Sequence, residues 1–206
     1  MLASLVIALS SAQEARPDTP SPSADRPNIV LVTIDTLGRE HLGCYGYPRP
    51  TSPRVDALAG QSVLFENAYA PMATTFPSHV SMLTGLYPHQ HGRTSNRAGV
   101  LDPFVSAQGR MLVASALSSA GYRTAGFVSS SVLHQGTGIA QGFESYDGPK
   151  GRHAKRPARE TTSRALAWLA TVPAGEPFFL WVHLWDVHEP NTVSYTHLTL
   201  PTILRV

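Results

Sequence analysis

The sequence predicts an α/β fold built on a mostly parallel sheet. Three largely apolar runs, rich in β-branched and aromatic residues, lie at 28–34 (NIVLVTI), 122–128 (YRTAGFV) and 178–184 (FFLWVHL). Such near-continuous runs are typical of strands that are buried on both faces of a sheet. Segments with helical spacing separate them, and strands that alternate with helices favour right-handed crossovers within one parallel sheet.

The connecting segments carry their own local patterns. Gly121 ends an apolar helical pattern, as glycine commonly does at helix C-termini. These patterns predict helices at 53–60, 109–120 and 160–170, a short strand at 62–69, and a loop rich in Gly and Gln at 132–151.

Composition excludes several classes of protein. The chain has 206 residues, 42% of them hydrophobic, which is a globular content, and a net charge of only +2 gives no reason to expect nucleic-acid binding. One basic cluster, RHAKRPAR at 152–159, is expected to be a solvated loop. The single cysteine, Cys44, excludes an internal disulfide framework and a cysteine-based zinc site, and we expect it to be a small buried or half-buried thiol.

The first 27 residues differ in character from the rest. Residues 1–12, MLASLVIALSSA, have the short apolar run and small-residue end of a secretory signal, and are too short to span a membrane. Residues 13–27, with several prolines among Ser, Asp and Ala, are expected to be a disordered linker. This arrangement predicts a periplasmic or secreted protein.

The stretch PMATTFPSHVSMLTGLYPHQHG, at 71–92, is the most informative in the chain. Pro77 and Ser78 suit the first turn of a helix, and Gly85 suits its end, so Thr75 is expected at or just before a helix N-terminus. Free N–H groups and the helix dipole favour an anion there. The alternative is that Thr75 only caps an ordinary helix.

Polar residues also follow two of the predicted strands. Asp35 follows the first strand, where a carboxylate can ligate a metal or cap the next turn. His183, Asp186 and His188 lie within or just after the third strand, where such groups can converge on a metal or an anion. Taken alone, a histidine is more often an ordinary core or surface residue.

Together these segments resemble the sulfatase family of the alkaline-phosphatase-like superfamily. That family reads Cys or Ser, any residue, Pro-Ser-Arg, then Leu-Thr-Gly, any residue, Tyr-Pro and a closing His-Gly. This chain has the matching residues in order but carries Thr75 where the family has Cys or Ser, and His79 where it has Arg. The family's Asp-Asp-x-Gly after its first strand is matched by Asp35, with Thr36 in place of the second Asp.

The resemblance implies an alkaline-phosphatase-like sheet with helices on both faces, truncated, with 28–191 as the N-terminal part of a catalytic domain. An incomplete sheet is expected to leave apolar surface exposed on one side. The roles that it implies are catalytic for Thr75, His79 and His188, substrate-binding for His91 and His183, and metal-binding for Asp35, Thr36 and Asp186.

The function implied is metal-dependent hydrolysis of sulfate or phosphate esters, of small molecules or glycans, through a covalent intermediate on Thr75. The divalent metal would be calcium in a sulfatase or zinc in a phosphodiesterase, and would act as a Lewis acid. Helix N–H groups beside Thr75 would hold the ester oxygens, and His188 would protonate the leaving oxygen. No formylglycine is expected, because Thr75 replaces the cysteine from which the family forms it.

Two alternatives remain open. One is a phosphodiesterase or phosphoethanolamine-type transferase with a threonine nucleophile, since a phospho-threonine is a workable intermediate. The other is a catalytically silent binding domain, because Thr36 and His79 depart from the family pattern.

The last residues do not continue the family pattern. VSYTHLTLPT, at 193–202, reads like a translated transposon-based sequencing adapter, so residues 192–206 are expected to be a non-native tail and are kept out of the fold predictions.

Overall fold

The computed structural model describes residues 26–97, 103–106, 109–151 and 153–188, and the backbone of 5–10. The interior of the predicted linker and the whole predicted tail at 192–206 lie outside these residues. Within the described ranges, no helix combines the length and the apolar character that crossing a membrane requires.

A five-stranded sheet forms the centre of the molecule, in the order β1-β2-β5-β3-β4. β2, β5, β3 and β4 run parallel, and only β1 is antiparallel to its neighbour. The strands are β1 Leu5–Ser10, β2 Ile29–Ile34, β3 Arg123–Val128, β4 Ser145–Asp147 and β5 Phe178–Leu184. The mostly parallel sheet and its three principal strands are therefore confirmed.

Helices cover both faces of the sheet. The helices are α1 Pro53–Ala59, α2 Thr75–Thr84, α3 Pro88–His91, α4 Val113–Ser119 and α5 Ala158–Leu169. β5 alternates its side chains between two apolar clusters: Phe179 and Trp181 pack with α2 and α4, while Leu180 and Val182 pack with α5. All seven residues of β5 are buried, which explains why six of them are apolar; the exception is His183, which lies beside Asp35.

Four local expectations are corrected. Residues 62–69 form no strand; Val63 is 81% exposed and Phe65 71%, because no neighbouring strand pairs with their backbone. The helix predicted at 109–120 begins only at Val113. The loop predicted at 132–151 contains β4, which pairs with β3. The basic cluster is not wholly solvated, since Arg156 is 7% exposed and forms a 2.6 Å ion pair with Asp147.

The outer edge of β2 is occupied in this structure. β1, which lies inside the predicted signal at 1–12, pairs with it along its whole length. The sheet edge that truncation was expected to expose is therefore covered at β2, and the exposed large apolar side chains include four in the 62–69 loop, Val63, Leu64, Phe65 and Tyr69. The secretory role of 1–12 stays a prediction.

Candidate active site

Two segments that are distant in sequence meet at the carboxyl end of the sheet. Asp35 is the first residue after β2, and its backbone N–H donates to the Leu184 carbonyl at 2.9 Å, which extends the β2–β5 pairing. Thr75 is the first residue of α2, and its hydroxyl donates to Oδ2 of Asp35 at 3.0 Å. Both side chains are buried, so the contact is shielded from bulk water.

His79 holds the backbone of Thr75 from behind. Its Nδ1 lies 2.7 Å from the Thr75 carbonyl, and its Nε2 lies 3.2 Å from the hydroxyl of Thr33. The Trp181 indole donates to that hydroxyl at 3.1 Å, so Thr33 donates onward to Nε2 and the His79 proton lies on Nδ1. Burial, with the nearby charge of His183, lowers the pKa of His79 to about 3, so the imidazole is neutral.

His183 lies beside Asp35, deeper in the protein. Its Nε2 is 3.5 Å from Asp35 Oδ2, too long for a well-formed hydrogen bond, and its Nδ1 has no hydrogen-bond partner within the described chain. Burial alone would raise the pKa of the Asp35 carboxyl. The interaction with His183 and the hydrogen bond from the Thr75 hydroxyl outweigh it and hold that pKa below its ordinary value, so Asp35 is ionised at neutral pH.

A pocket of about 230 Å³ opens above this pair. The hydroxyls of Thr74 and Ser78 are buried in its wall and have no hydrogen-bond partner among the described residues. Such hydroxyls can donate to the oxygens of an anionic ester. The lining residues are Asp35, Thr36, Met72, Ala73, Thr74, Thr75, Ser78, Asn96 and His188.

Two of the helix N–H groups expected to bind the ester oxygens already have partners. The N–H of Phe76 donates to Oδ1 of Asn96 at 2.8 Å, Pro77 has none, and the N–H of Ser78 donates to the Thr74 carbonyl at 3.2 Å. Neither of these two groups is free for an ester oxygen in this structure, in part because the Asn96 side chain from a later loop caps α2. The hydroxyls of Thr74 and Ser78 are further donors that have no hydrogen-bond partner among the described residues.

His188 closes one side of the pocket. It lies in the turn after β5, where its N–H donates to the Trp185 carbonyl at 2.8 Å. Its ring stacks on the Trp185 indole with centroids 3.8 Å apart and planes 16° apart. Thr36 also lines the pocket; it has a φ of 56°, and its hydroxyl makes a long contact, 3.4 Å, with the Val187 carbonyl next to His188.

Two residues with implied roles lie elsewhere. Asp186 accepts a 2.7 Å hydrogen bond from the N–H of Ala158, at the start of α5, and burial raises the pKa of its carboxyl. His91 is fully buried and lies 2.9 Å from the Ser81 hydroxyl, which joins α3 to α2. Neither lines the pocket, so the structure gathers Asp35, Thr36, Thr75 and His188 there, with His79 and His183 directly behind.

The described residues do not complete a divalent-metal site. No group of three His, Cys, Asp or Glu among them is arranged to hold a metal ion. Asp35 offers a carboxylate, and Thr36, in place of the second Asp, turns its hydroxyl to Val187. Calcium takes about six to eight oxygen ligands, so the set is too small for it.

Sequence reasoning missed three residues at this site. Asn96 caps α2, Thr74 lines the pocket, and the Trp185 indole stacks on the His188 ring. Thr74 lies within the 71–92 motif, so the sequence could have indicated its hydroxyl as a candidate site group. Nothing local in the sequence connects Asn96 to Phe76, because the two residues are 20 positions apart and separated by the rest of α2 and by α3.

Known proteins with similar sequences support one family. A sequence model of the family described as Sulfatase matches residues 27–199, which includes the start of the tail set apart above. The chain is 38% identical over 102 residues to N-acetylgalactosamine-6-O-sulfatase of Bacteroides thetaiotaomicron, covering 50% of this chain and 20% of that protein. It is 36% identical over 145 residues to arylsulfatase A of Homo sapiens, covering 66% of this chain and 28% of that protein. The matched region is thus less than a third of these relatives' length.

Solved structures agree on the fold. One, described as a complex with its substrate D-glucosamine-2-N,6-O-disulfate, has a TM-score of 0.69 at 24% identity and covers 82% of this chain and 36% of that chain. A second, described as a 2-O GAG sulfatase, has a TM-score of 0.64 at 23% identity over 80% of this chain and 36% of that chain. At these identities the likeness establishes the alkaline-phosphatase-like fold.

Proposed function

The chain belongs to the sulfatase family, and on that premise we propose that the complete protein hydrolyses sulfate or phosphate esters through a covalent intermediate on Thr75. The hydrogen bond from the Thr75 hydroxyl to Asp35 Oδ2, 3.0 Å long, carries the proposal. A hydroxyl becomes an effective nucleophile when an adjacent base accepts its proton, and Asp35 is in position to do so.

Attack begins with a proton transfer. Because the pKa of Asp35 is held low, its carboxylate is ionised and orients the Thr75 hydroxyl before substrate arrives. As Oγ1 forms a bond to sulfur or phosphorus, its proton passes to Asp35. His79 fixes the Thr75 carbonyl, so the nucleophile keeps its position during the reaction.

Departure of the alcohol needs a proton donor on the opposite side. His188 lines the same pocket and would donate to the leaving oxygen as its bond to sulfur or phosphorus breaks. The hydroxyls of Thr74 and Ser78 would donate to the non-bridging oxygens. A water molecule, deprotonated by His188, would then attack the sulfur or phosphorus of the sulfo- or phospho-threonine. As the bond to Oγ1 breaks, Asp35 would return its proton to Oγ1 and so regenerate Thr75.

Metal participation would depend on residues outside those described. A divalent cation, calcium in a sulfatase or zinc in a phosphodiesterase, would need more ligands than Asp35 and its neighbours offer. The steps above therefore involve the chain's own side chains only.

Thr75 itself favours the second candidate, a phosphodiesterase or phosphoethanolamine-type transferase. A formylglycine hydrate has a second hydroxyl on the same carbon and can expel sulfate by collapsing to the aldehyde. Threonine lacks that hydroxyl, so its ester must be attacked by water or by an acceptor alcohol. Phosphoryl transfer proceeds readily in this way. A small-molecule or glycan ester substrate and a periplasmic or secreted location are part of the same proposal.

Trapping the intermediate tests the proposal. The full-length protein would be mixed with 4-nitrophenyl sulfate or 4-nitrophenyl phosphate, quenched in acid and digested, and the peptide carrying Thr75 examined by mass spectrometry. We expect a sulfo or phospho adduct on Thr75 that is missing in Thr75→Ala. A phospho adduct alone would select phosphoryl transfer. If no adduct forms and no turnover is measured with either ester, the proposal is contradicted and the silent binding domain is favoured.

A further inference from the structure

The indole of Trp185 is the surface on which the His188 imidazole rests. The two rings are nearly parallel, 16° apart, with centroids separated by 3.8 Å. The ammonium of Lys155 lies 4.4 Å from the centroid of the same indole. We propose that Trp185, held by Lys155, is a positioning residue that aims the His188 proton at the leaving oxygen; this inference rests on the proposed function.

His188 needs such a support because it lies in a turn. A residue beyond the end of a strand has no ladder of backbone hydrogen bonds to orient it, and His188 is only half-buried. Misplacing a reacting group by about 1 Å can cost about 10²-fold in rate. A flat contact with an indole limits the imidazole to one plane, so its nitrogen-bearing edge keeps a constant direction.

The turn is anchored on both sides of the stack. Asp186 accepts the N–H of Ala158 at 2.7 Å, and the Val187 carbonyl receives the long contact from Thr36. These bonds fix the backbone of the turn, and the stacking contact with Trp185 constrains the plane of the His188 ring. Trp185 is the neighbour whose ring covers the imidazole face.

Ring-face contacts from His188 and Lys155 orient the Trp185 indole. Its Nε1 is buried without a hydrogen-bond partner among the described residues, so a polar contact does not determine its rotation. Lys155 is in turn held near the end of β3, where the N–H of Arg156 donates to the Ser129 carbonyl at 2.8 Å. A cation placed over an indole is a favourable contact, which supports the observed ring orientation.

Leaving-group dependence distinguishes positioning from simple packing. In the full-length protein, Trp185→Leu and His188→Ala would be compared on two esters of the same acid. One is 4-nitrophenyl, a good leaving group that needs little protonation, and the other is benzyl, a poor one. We expect Trp185→Leu to lower kcat by about tenfold or more on the benzyl ester and much less on the 4-nitrophenyl ester, with KM nearly unchanged. Trp185→Phe should recover most of the loss.

Two controls separate this inference from the proposed function. Trp168→Leu removes a half-buried tryptophan that packs on Phe178, away from the pocket, and should affect both esters equally. If His188→Ala shows no preference between the esters, the acid role of His188 in the proposed function fails. If His188→Ala does discriminate but Trp185→Leu lowers both rates equally, Trp185 only packs, and this inference is overturned.

Discussion

The hydroxyl of Thr75 donates to Oδ2 of Asp35 at 3.0 Å, across 40 residues of sequence. One residue follows a strand and the other begins a helix, and the parallel sheet brings both to the same edge. The contact places a hydroxyl beside an ionised carboxylate in a buried site. That combination is the starting point for the predictions below.

Thr75→Ala should lower kcat by about 10³-fold or more, because it removes the nucleophile. Thr75→Ser keeps the hydroxyl and should retain activity within about tenfold. Steady-state kinetics of the full-length protein on 4-nitrophenyl esters would measure both. Thr84→Ala is the matched control, since Thr84 lies at the far end of α2 and bonds only within the helix region. Equal activity in wild type and Thr75→Ala would mean that Thr75 is a structural helix residue.

Thr36 is held in the left-handed region, with a φ of 56°, although β-branched residues rarely adopt it. Thr36→Asn should stabilise the fold by about 1 kcal/mol, since asparagine tolerates this conformation. Thr36→Asp relieves the same strain but places a second carboxylate next to Asp35. Urea denaturation with calcium and with chelator would compare them.

We expect Thr36→Asp to gain more stability from calcium than Thr36→Asn does, and to be the less stable of the two in chelator. A calcium response equal in both variants would argue that position 36 takes no part in metal binding.

Asp186 caps α5 through its 2.7 Å bond from Ala158. Asp186→Ala should therefore destabilise the fold by about 1 kcal/mol, as loss of a helix cap typically does, while Asp186→Asn should cost less. Chemical denaturation measures this, and calcium or zinc titration of the same variants supplies the contrast. Metal affinity reduced in both variants, with stability unchanged, would instead support the metal role implied by the family resemblance.

His91 is buried between α2 and α3, and burial, together with the charge of Arg93, lowers its pKa. A histidine whose folded-state pKa is depressed resists protonation, while the same histidine in the unfolded chain takes up a proton near its ordinary pKa of 6.5. Its stabilising contribution is therefore present above that pH and falls as the pH drops below it.

His91→Gln should remove this part of the acid destabilisation, seen as a shallower loss of unfolding free energy between roughly pH 7 and pH 5. The exposed His89→Gln on the same helix is the control. An unchanged slope in His91→Gln would show that His91 is protonated equally in both states.

The strands were predictable because their signal is local. A strand buried on both faces is apolar along most of its length, and β5 has that property in six of its seven residues, the exception being His183. The 62–69 segment has a similar composition but no partner strand among the described residues, and its Val63 and Phe65 are exposed. The composition of a segment indicates whether it could be buried in a sheet. Whether it pairs as a strand depends on which segments lie next to it in the folded chain.

The sequence by itself determined the family motif, the helix start at Thr75, and the arrival of Asp35 at a strand end, because helix and strand patterns repeat over a few residues. Only the tertiary structure decided what each polar side chain contacts. Of four histidines given roles, His188 lines the pocket, His79 and His183 lie behind it, and His91 joins two helices. A side chain's direction depends on packing from elements far away in sequence, such as Trp181 against Thr33, and no local pattern encodes that contact.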